Sequence, residues 1–469
     1  MCQSKPTPTP TPIPTTTAPI HIQSTPWRVG KEATLTIRCE SHCVGQTIAL
    51  TILVPGAGQP QIENISSNYF GLSGVQFLWL PSEHREMDAA LAAAAGAQYI
   101  GLDFDWRRIE PDPGNYVWKE IDQVVALSKE YGFQLVPMLL YTPLWASTAS
   151  YAPLDYHLAP PSDYADYRNF VYNVVRRYKP NGTSPLTHDG YGIKDWVIWN
   201  EPNVHTYQEN PEPREFWTGS LEEYILLLRA GYEGAHAADP GTNVLNGGLA
   251  DVFWASGESD LITSLERFYD PDGDGDAGDG GRPFFDTLNI HTYQIGKPDA
   301  SWYKERLDGV IEVMDRFGDE QKAIWITETG YGSAEHDTMA EHQLVDEHIQ
   351  GDAVSMIYRT CAAYPQVERV FWWSLRDYYA IAPVIKSAME AHYGLIRTDW
   401  APKQAFLTYS QLTGRADHVT TMTVVADKDN TAKVEIPAVV INRPGTYTVF
   451  VTLEGATPTG VFTYEVADE

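Results

Sequence analysis

Two glutamates close apolar runs of the same kind. Glu201 follows Trp-Val-Ile-Trp-Asn at 196–200, and Glu328 follows Ile-Trp-Ile-Thr at 324–327. An apolar run that builds a buried strand has no use for a charge at its end, so a carboxylate there points to chemistry. Two such carboxylates facing each other across one mouth suit cleavage of a glycosidic bond. One protonates the leaving oxygen, and the other attacks or activates water.

The elements that would place both at one mouth can be read in order. Eight short apolar runs alternate with amphipathic stretches: Tyr69–Val75, Gln98–Phe104, Phe133–Leu140, Trp196–Asn200, Asn243–Gly248, Thr287–His291, Ala323–Thr327 and Val367–Trp373. Helical segments between and after them include Ile121–Tyr131, Tyr164–Tyr178, Leu221–Ala238, Ser301–Phe317, Glu341–Tyr364 and Pro402–Leu412. This predicts an α/β chain folded as a (β/α)8 TIM barrel, whose chemistry sits at the C-terminal ends of its strands. A doubly wound sheet would also alternate, but no Gly-rich phosphate turn follows the first strand.

Alternating β-type runs lie at both ends, at residues 33–54 and again from Thr421 to Val466. They are expected to build one accessory β-sandwich, or two separate small ones. The resulting division is a Pro/Thr-rich tether at 1–26, an N-terminal β segment at 27–66, the barrel at 67–415 and a C-terminal β segment at 416–469. The Pro-Thr repeats of the tether cannot form helix or sheet.

Several motifs carry a family resemblance. Trp-Asn-Glu-Pro-Asn at 199–203, His-Thr-Tyr at 291–293 and Thr-Glu-Thr-Gly-Tyr-Gly at 327–332 resemble the signatures of the clan A retaining glycoside hydrolases, which are TIM barrels. Residues 104–118, Tyr-Thr-Pro-Leu-Trp-Ala at 141–146 and Tyr-Gly-Leu-Ile at 393–396 are similar to the β-xylosidase and α-L-iduronidase family and its cellulase-like relatives. The resemblance implies that Glu201 is the general acid/base and Glu328 the nucleophile. It also implies that Asn200 binds the sugar 2-hydroxyl, that Tyr293 holds the nucleophile, that His291 lines the same subsite, and that Trp372 or Trp373 floors the sugar. Where relatives often carry Arg, the second strand has Gly101, which leaves the tuning of Glu328 open.

Asp103 and Asp105 share one face of that strand, where either reaches sugar hydroxyls or merely caps the next loop. Among Trp106, Trp118, Trp145, Trp217 and Trp254, about two are expected to stack on sugars and the rest to pack. Trp145, just after the third strand, is the first choice. Asp270, Asp272, Asp274 and Asp276 open like a calcium loop, although Gly281 stands where a bidentate Glu would close it. The run is either a structural calcium site, on the face away from catalysis, or a solvated acidic loop. No cofactor is expected for catalysis. Cys39 and Cys43 either form a disulfide, stay as thiols or join His42 at a metal, and Cys361 reads as core. His188, His205, His336, His342 and His348 show no metal spacing.

The formal net charge of −29 disfavours nucleic acid and anionic membranes as partners. The expected partner is a carbohydrate. Cys2, ahead of the tether, looks like the acylated end of a bacterial lipoprotein and predicts an extracellular or cell-surface location. The reading in hand is a retaining β-glycosidase for plant or microbial glycans, exo- or endo-acting. Its rival is a non-catalytic carbohydrate-binding surface protein on a degenerate barrel.

Overall fold

The structure, a computed structural model, describes residues 11–12, 20–39, 43–75, 77–78, 82–149, 156–204, 216–251, 260–275, 278–294, 297–333, 345–377, 390–398, 400–453 and 456–467. Cys2 and most of the tether, His42, His205, Trp254, Asp276, His336 and His342 lie outside them.

A nine-stranded parallel sheet forms the centre. Its strands are β5 (Phe70–Ser73), β6 (Tyr99–Asp105), β7 (Gln134–Leu140), β8 (Asp195–Ile198), β9 (Asn243–Leu245), β10 (Leu249–Asp251), β11 (Leu288–Thr292), β12 (Ile324–Thr329) and β13 (Val367–Trp373), in the order β10-β11-β12-β13-β5-β6-β7-β8-β9. The sheet curls so far that its two edges, β9 and β10, are consecutive in the chain, separated only by Asn246, Gly247 and Gly248. Leu245 also bridges Thr287, just ahead of β11. Of the fifth predicted strand, Asn243–Gly248, only Asn243–Leu245 forms as β9; Asn246 and a glycine pair end it, and β10 follows beyond its predicted end.

Helices cover the sheet: α1 (Ser82–Ala95), α2 (Trp106–Ile109), α3 (Lys119–Tyr131), α4 (Tyr164–Tyr178), α5 (Leu221–Ala238), α6 (Leu261–Tyr269), α7 (Ala300–Arg316), α8 (Glu347–Cys361) and α9 (Gln404–Leu412). Local sequence explains their ends. Ser220 and Glu223 form a reciprocal capping box at the start of α5, and Gly132 closes α3 with φ +80°, a conformation that favours glycine. α1 and α6 join the helices read from periodicity; the Ala-rich stretch of α1 has helix propensity but little polar contrast. Cys361 is buried in α8, and burial pushes its thiol up to about 12.

The chain ends meet in two antiparallel sheets. One has the order β1-β17-β16-β4-β14, from Thr11–Pro12, Ala456–Val466, Gly445–Leu453, Thr47–Pro55 and Ala416–Val425. The other is β15-β3-β2, from Thr431–Ile436, Ala33–Cys39 and Ile20–Ser24. Leu35 and Ile37 of the second sheet share a buried cluster with Ile48, Leu50, Ile52 and Val449 of the first. Strands from the two chain ends share these sheets: β4 pairs with β14 and β16, and β3 pairs with β15. One boundary changes: Ile20–Ser24, assigned to the tether, is a strand paired with β3. Cys39 and Cys43 are disulfide-bonded, with Cα atoms 6.3 Å apart.

Candidate active site

β8 and β12 end where their apolar runs end, and the two glutamates lie just there. Glu201 is 7% exposed and Glu328 9% exposed. The backbone makes an unusual turn to present the first: Trp199 has φ +72° and Glu201 φ +43°. Left-handed conformations at residues with a Cβ are costly and concentrate at functional sites. The Glu201 N–H is anchored on the Gly247 carbonyl at 2.5 Å. A Cβ on Gly247 would lie 2.7 Å from the Ile198 carbonyl oxygen, and one on Gly248 would overlap the His291 ring. The glycine pair therefore makes room for the Ile198–Trp199 backbone that leads into Glu201 and for the His291 ring.

His291 stands between the carboxylates. Its Nδ1 is 2.7 Å from Glu201 Oε1 and 3.7 Å from Glu328 Oε2. One oxygen of each glutamate and one nitrogen of His291 all lie within 4.8 Å of one another. A register shift between Ile290 and His291 sets His291 directly beside Glu328 across β11 and β12. The Tyr293 hydroxyl donates to Glu328 Oε2 at 2.8 Å. Asn200 is half-buried, and its Oδ1 is buried without a hydrogen-bond partner among the described residues. An unpaired buried acceptor beside a carboxylate is suited to a hydroxyl donor supplied by a ligand.

Electrostatics set Glu328 and Asp103 apart from ordinary surface acids. Burial raises Glu328 to about 7, reinforced by Glu201 and Asp103 and opposed by His291 and the Tyr293 hydroxyl. Asp103, half-buried on β6, is raised to about 7, by burial first and Asp105 second, with Arg107 opposing. Burial holds the His291 imidazole below its ordinary value and the Tyr293 phenol well above its own. Asp103 and Asp105 divide the roles left open for them. Asp105 caps α2 and grips Arg107 at 2.7 Å, while Asp103 is close enough to Glu328 to raise it. At Gly101, a Cβ would come within 3.2 Å of the Ser73 Cβ.

The aromatic assignments separate by strand alternation. Trp372 is fully buried, donates to the Tyr393 carbonyl at 2.9 Å and belongs to the core, so it does not floor a sugar. Trp373 points the other way, half-buried, with its ring 6.4 Å from Tyr293 and 5.2 Å from Tyr393. Trp106 and Trp217 are fully buried packing residues. Trp118 is stacked on Tyr116 at 5.0 Å, with Arg177 over its ring. Trp145 is half-buried, donates its indole N–H to the Glu110 carbonyl at 3.0 Å and stands edge-on to Trp106. The residue that β7 delivers to the mouth is Tyr141, with φ +70°, beneath Arg107 and electrostatically linked to Asp103 and Glu328. Its signal in the sequence is its place directly after the strand.

The acidic loop follows α6, ahead of β11, and so lies on the face away from the glutamates. Oxygens of Asp270, Asp272 and Asp274 lie within 4.8 Å of one another. Asp270 already accepts backbone N–H groups from Gly273, Asp274 and Gly275.

No protein-family model and no curated protein matches the chain. Solved structures do. A monomeric β-xylosidase from Caulobacter crescentus CB15 aligns with TM-score 0.54 and 14% identity, over 84% of this chain and 75% of that one. GH5_18 from Streptomyces cattleya, in complex with GlcNAc, gives 0.53 and 16%, over 75% and 81%. A glucosidase from Croceicoccus marinus gives 0.52 and 13%, over 85% and 77%. The chain therefore has the fold of the clan A glycoside hydrolases that its motifs resemble.

Proposed function

We propose that the protein is a retaining β-glycosidase. The observation that carries the reading is the closeness of Glu201 and Glu328, with one carboxylate oxygen of each within 4.8 Å of the other, an approach that favours the shorter of the two separations glycosidases use. Double displacement needs carboxyl groups about 5–5.5 Å apart, whereas inversion leaves about 6.5–9.5 Å for a water. In the first step Glu328 attacks the anomeric carbon while the Glu201 proton passes to the departing glycosidic oxygen. In the second, Glu201 takes a proton from water, whose oxygen displaces Glu328 from the anomeric carbon. Asn200 Oδ1, unpaired among the described residues, receives a sugar hydroxyl, and Trp373 offers an apolar face.

The consecutive edge strands β9 and β10 support a closed (β/α)8 barrel in which residues 243–251 act as one interrupted strand. The substrate is a neutral glycan of plant or microbial origin, since carboxylates crowd the mouth and Asp105 already occupies Arg107. The disulfide supports an oxidising, extracellular location. Acylation of Cys2 completes this reading, and an unmodified Cys2 in the mass spectrum of the native protein would remove that part.

The decisive experiment is a screen of aryl β-glycosides and polysaccharides, with the anomer of the first product read by proton NMR. Retention is expected. First-formed product of inverted configuration overturns the mechanism, and no hydrolysis of any substrate overturns the function.

A further inference from the structure

Behind the two glutamates runs a chain of hydrogen bonds whose polarity is fixed link by link. Its far end is main chain. The Asn289 N–H donates to Asn246 Oδ1 at 2.7 Å, and Asn246 Nδ2 donates to the Asn289 carbonyl at 2.9 Å. Asn289 Nδ2 in turn donates to the Asn246 carbonyl at 3.1 Å. A carbonyl only accepts, so the Asn289 side chain must turn its Oδ1 toward Thr327. The Thr327 hydroxyl donates its single proton to that oxygen at 2.7 Å. It therefore presents a lone pair to His291 Nε2, 3.0 Å away, and Nε2 must carry the hydrogen. Asn246, Asn289, Thr327 and His291 are all buried, so the chain is held within the protein interior. At its near end, His291 Nδ1 meets Glu201 Oε1 at 2.7 Å, a separation that requires a proton between them.

We propose that Asn289 and Thr327 are positioning residues that hold His291 in its Nε2–H tautomer, so that the proton shared with Glu201 resides on Glu201 as a carboxylic acid. The proposal rests on the glycosidase reading, in which that proton is the one delivered to the leaving group. Burial disfavours the imidazolium, which places the proton on oxygen. The charged and titratable groups around the pair are Glu328 on β12, Tyr293 after β11, Asp103 on β6 near Glu328, and Arg107, held by Asp105 beside Asp103. Ionising Glu201 would add a negative charge beside Glu328, and the relay opposes this by leaving Nδ1 an acceptor. When the Glu201 O–H bond breaks in the first step, its proton goes to the glycosidic oxygen. The proton taken from water in the second step restores the resting state.

Thr327→Val keeps the side-chain shape and removes the acceptor. The expected result is a switch of His291 to Nδ1–H, which donates to an ionised Glu201. The alkaline limb of kcat/KM for a phenyl β-glycoside then moves down by about one pH unit. The loss in rate should be at least about tenfold greater for the phenyl than for the 2,4-dinitrophenyl β-glycoside, whose leaving group needs little acid assistance. Thr327→Ser should restore both readouts. Long-range proton–nitrogen NMR of histidine-labelled protein should find Nε2–H in the wild type and Nδ1–H in Thr327→Val. Nδ1–H in the wild type overturns the proposal, as does an unmoved limb with equal losses on both substrates. A wild type that cleaves no glycoside refutes the proposed function alone, because the tautomer is read by NMR independently of turnover.

Discussion

Asp88 and Asp377 are buried beside cations, whereas Asp103 and Glu328 face other carboxylates. Asp88 receives Arg376 at 3.1 Å and the Trp400 indole N–H at 3.1 Å. Asp377 receives Lys403 at 2.8 Å and the Gly394 N–H at 2.9 Å, and Lys403 also donates to Ser333 and the His392 carbonyl. Burial raises Asp377 as well, to about 6, but there Lys403 opposes the rise. At the mouth, Glu201 and Asp103 push Glu328 further up. The first arrangement fixes the chain that follows β13, including Tyr393 against Tyr293 and Trp373. The second sets buried carboxylates beside one another with no Lys or Arg bonded to Glu328 among the described residues, an environment of the kind that tunes functional acids. Burial against a bonded cation serves the scaffold, and burial against other carboxylates marks the candidate site.

The sharpest way to break this contrast is to delete the mouth carboxylates. Glu201→Ala and Glu328→Ala should each lower turnover by roughly 10³-fold or more. Azide should rescue Glu328→Ala, giving a glycosyl azide of inverted anomeric configuration. Full activity in either variant would place the mouth among the scaffold clusters. Lys403→Met should instead cost about 3–5 kcal/mol of stability, read as a fall in Tm, because it strands Asp377 without its cation. An unchanged Tm would mean that this pair contributes nothing to the scaffold.

The mouth should respond to pH in the opposite sense from a salt-bridged acid. Glu328 and Asp103, raised to about 7, favour folding most when neutral. That contribution is complete below the ordinary carboxylate range and is lost as pH rises through about 7. Glu328→Gln and Asp103→Asn should therefore each add roughly 1–3 kcal/mol of stability at pH 8, read as a higher Tm, and do little at pH 4. Equal effects at both values would show that the charges are already compensated. A change in stability with none in turnover is expected far from both regions. Replacing Cys39 and Cys43 by Ser opens a short loop, costing the accessory sheets about 2 kcal/mol while leaving turnover unchanged.

Much of the site is legible because a charge at the end of a buried strand is conspicuous. Glu201, Glu328, Asn200, His291 and Tyr293 lie where their runs end, and the fold gathers the runs that carry them. Trp373 separates from Trp372 only by which face of β13 turns inward, and that is a matter of register. Tyr141 is easily passed over for Trp145, a larger ring four residues on, because only the fold shows Tyr141 lying beneath Arg107 near Asp103 and Glu328. The strand at Ile20–Ser24 is hidden by its Pro/Thr-rich neighbours, since short edge strands gain their stability from pairing.

Hydrophobic periodicity and strand-end charge are local properties. The amino-acid order therefore specifies the βα alternation, the polar residues closing the apolar runs and the β character of both chain ends. It leaves open whether those ends join, and long-range pairing of β4 with β14 and β16 settles that they do. The three-dimensional arrangement was also needed to set His291 between the two carboxylates, to bring Asp103 rather than Asp105 toward Glu328, and to line up Asn246, Asn289 and Thr327 behind the imidazole. Those relations depend on a register shift of one residue and on hydrogen bonds between segments as much as 90 residues apart in the chain. No local pattern encodes them, because a hydrogen bond forms or fails over a few tenths of an ångström.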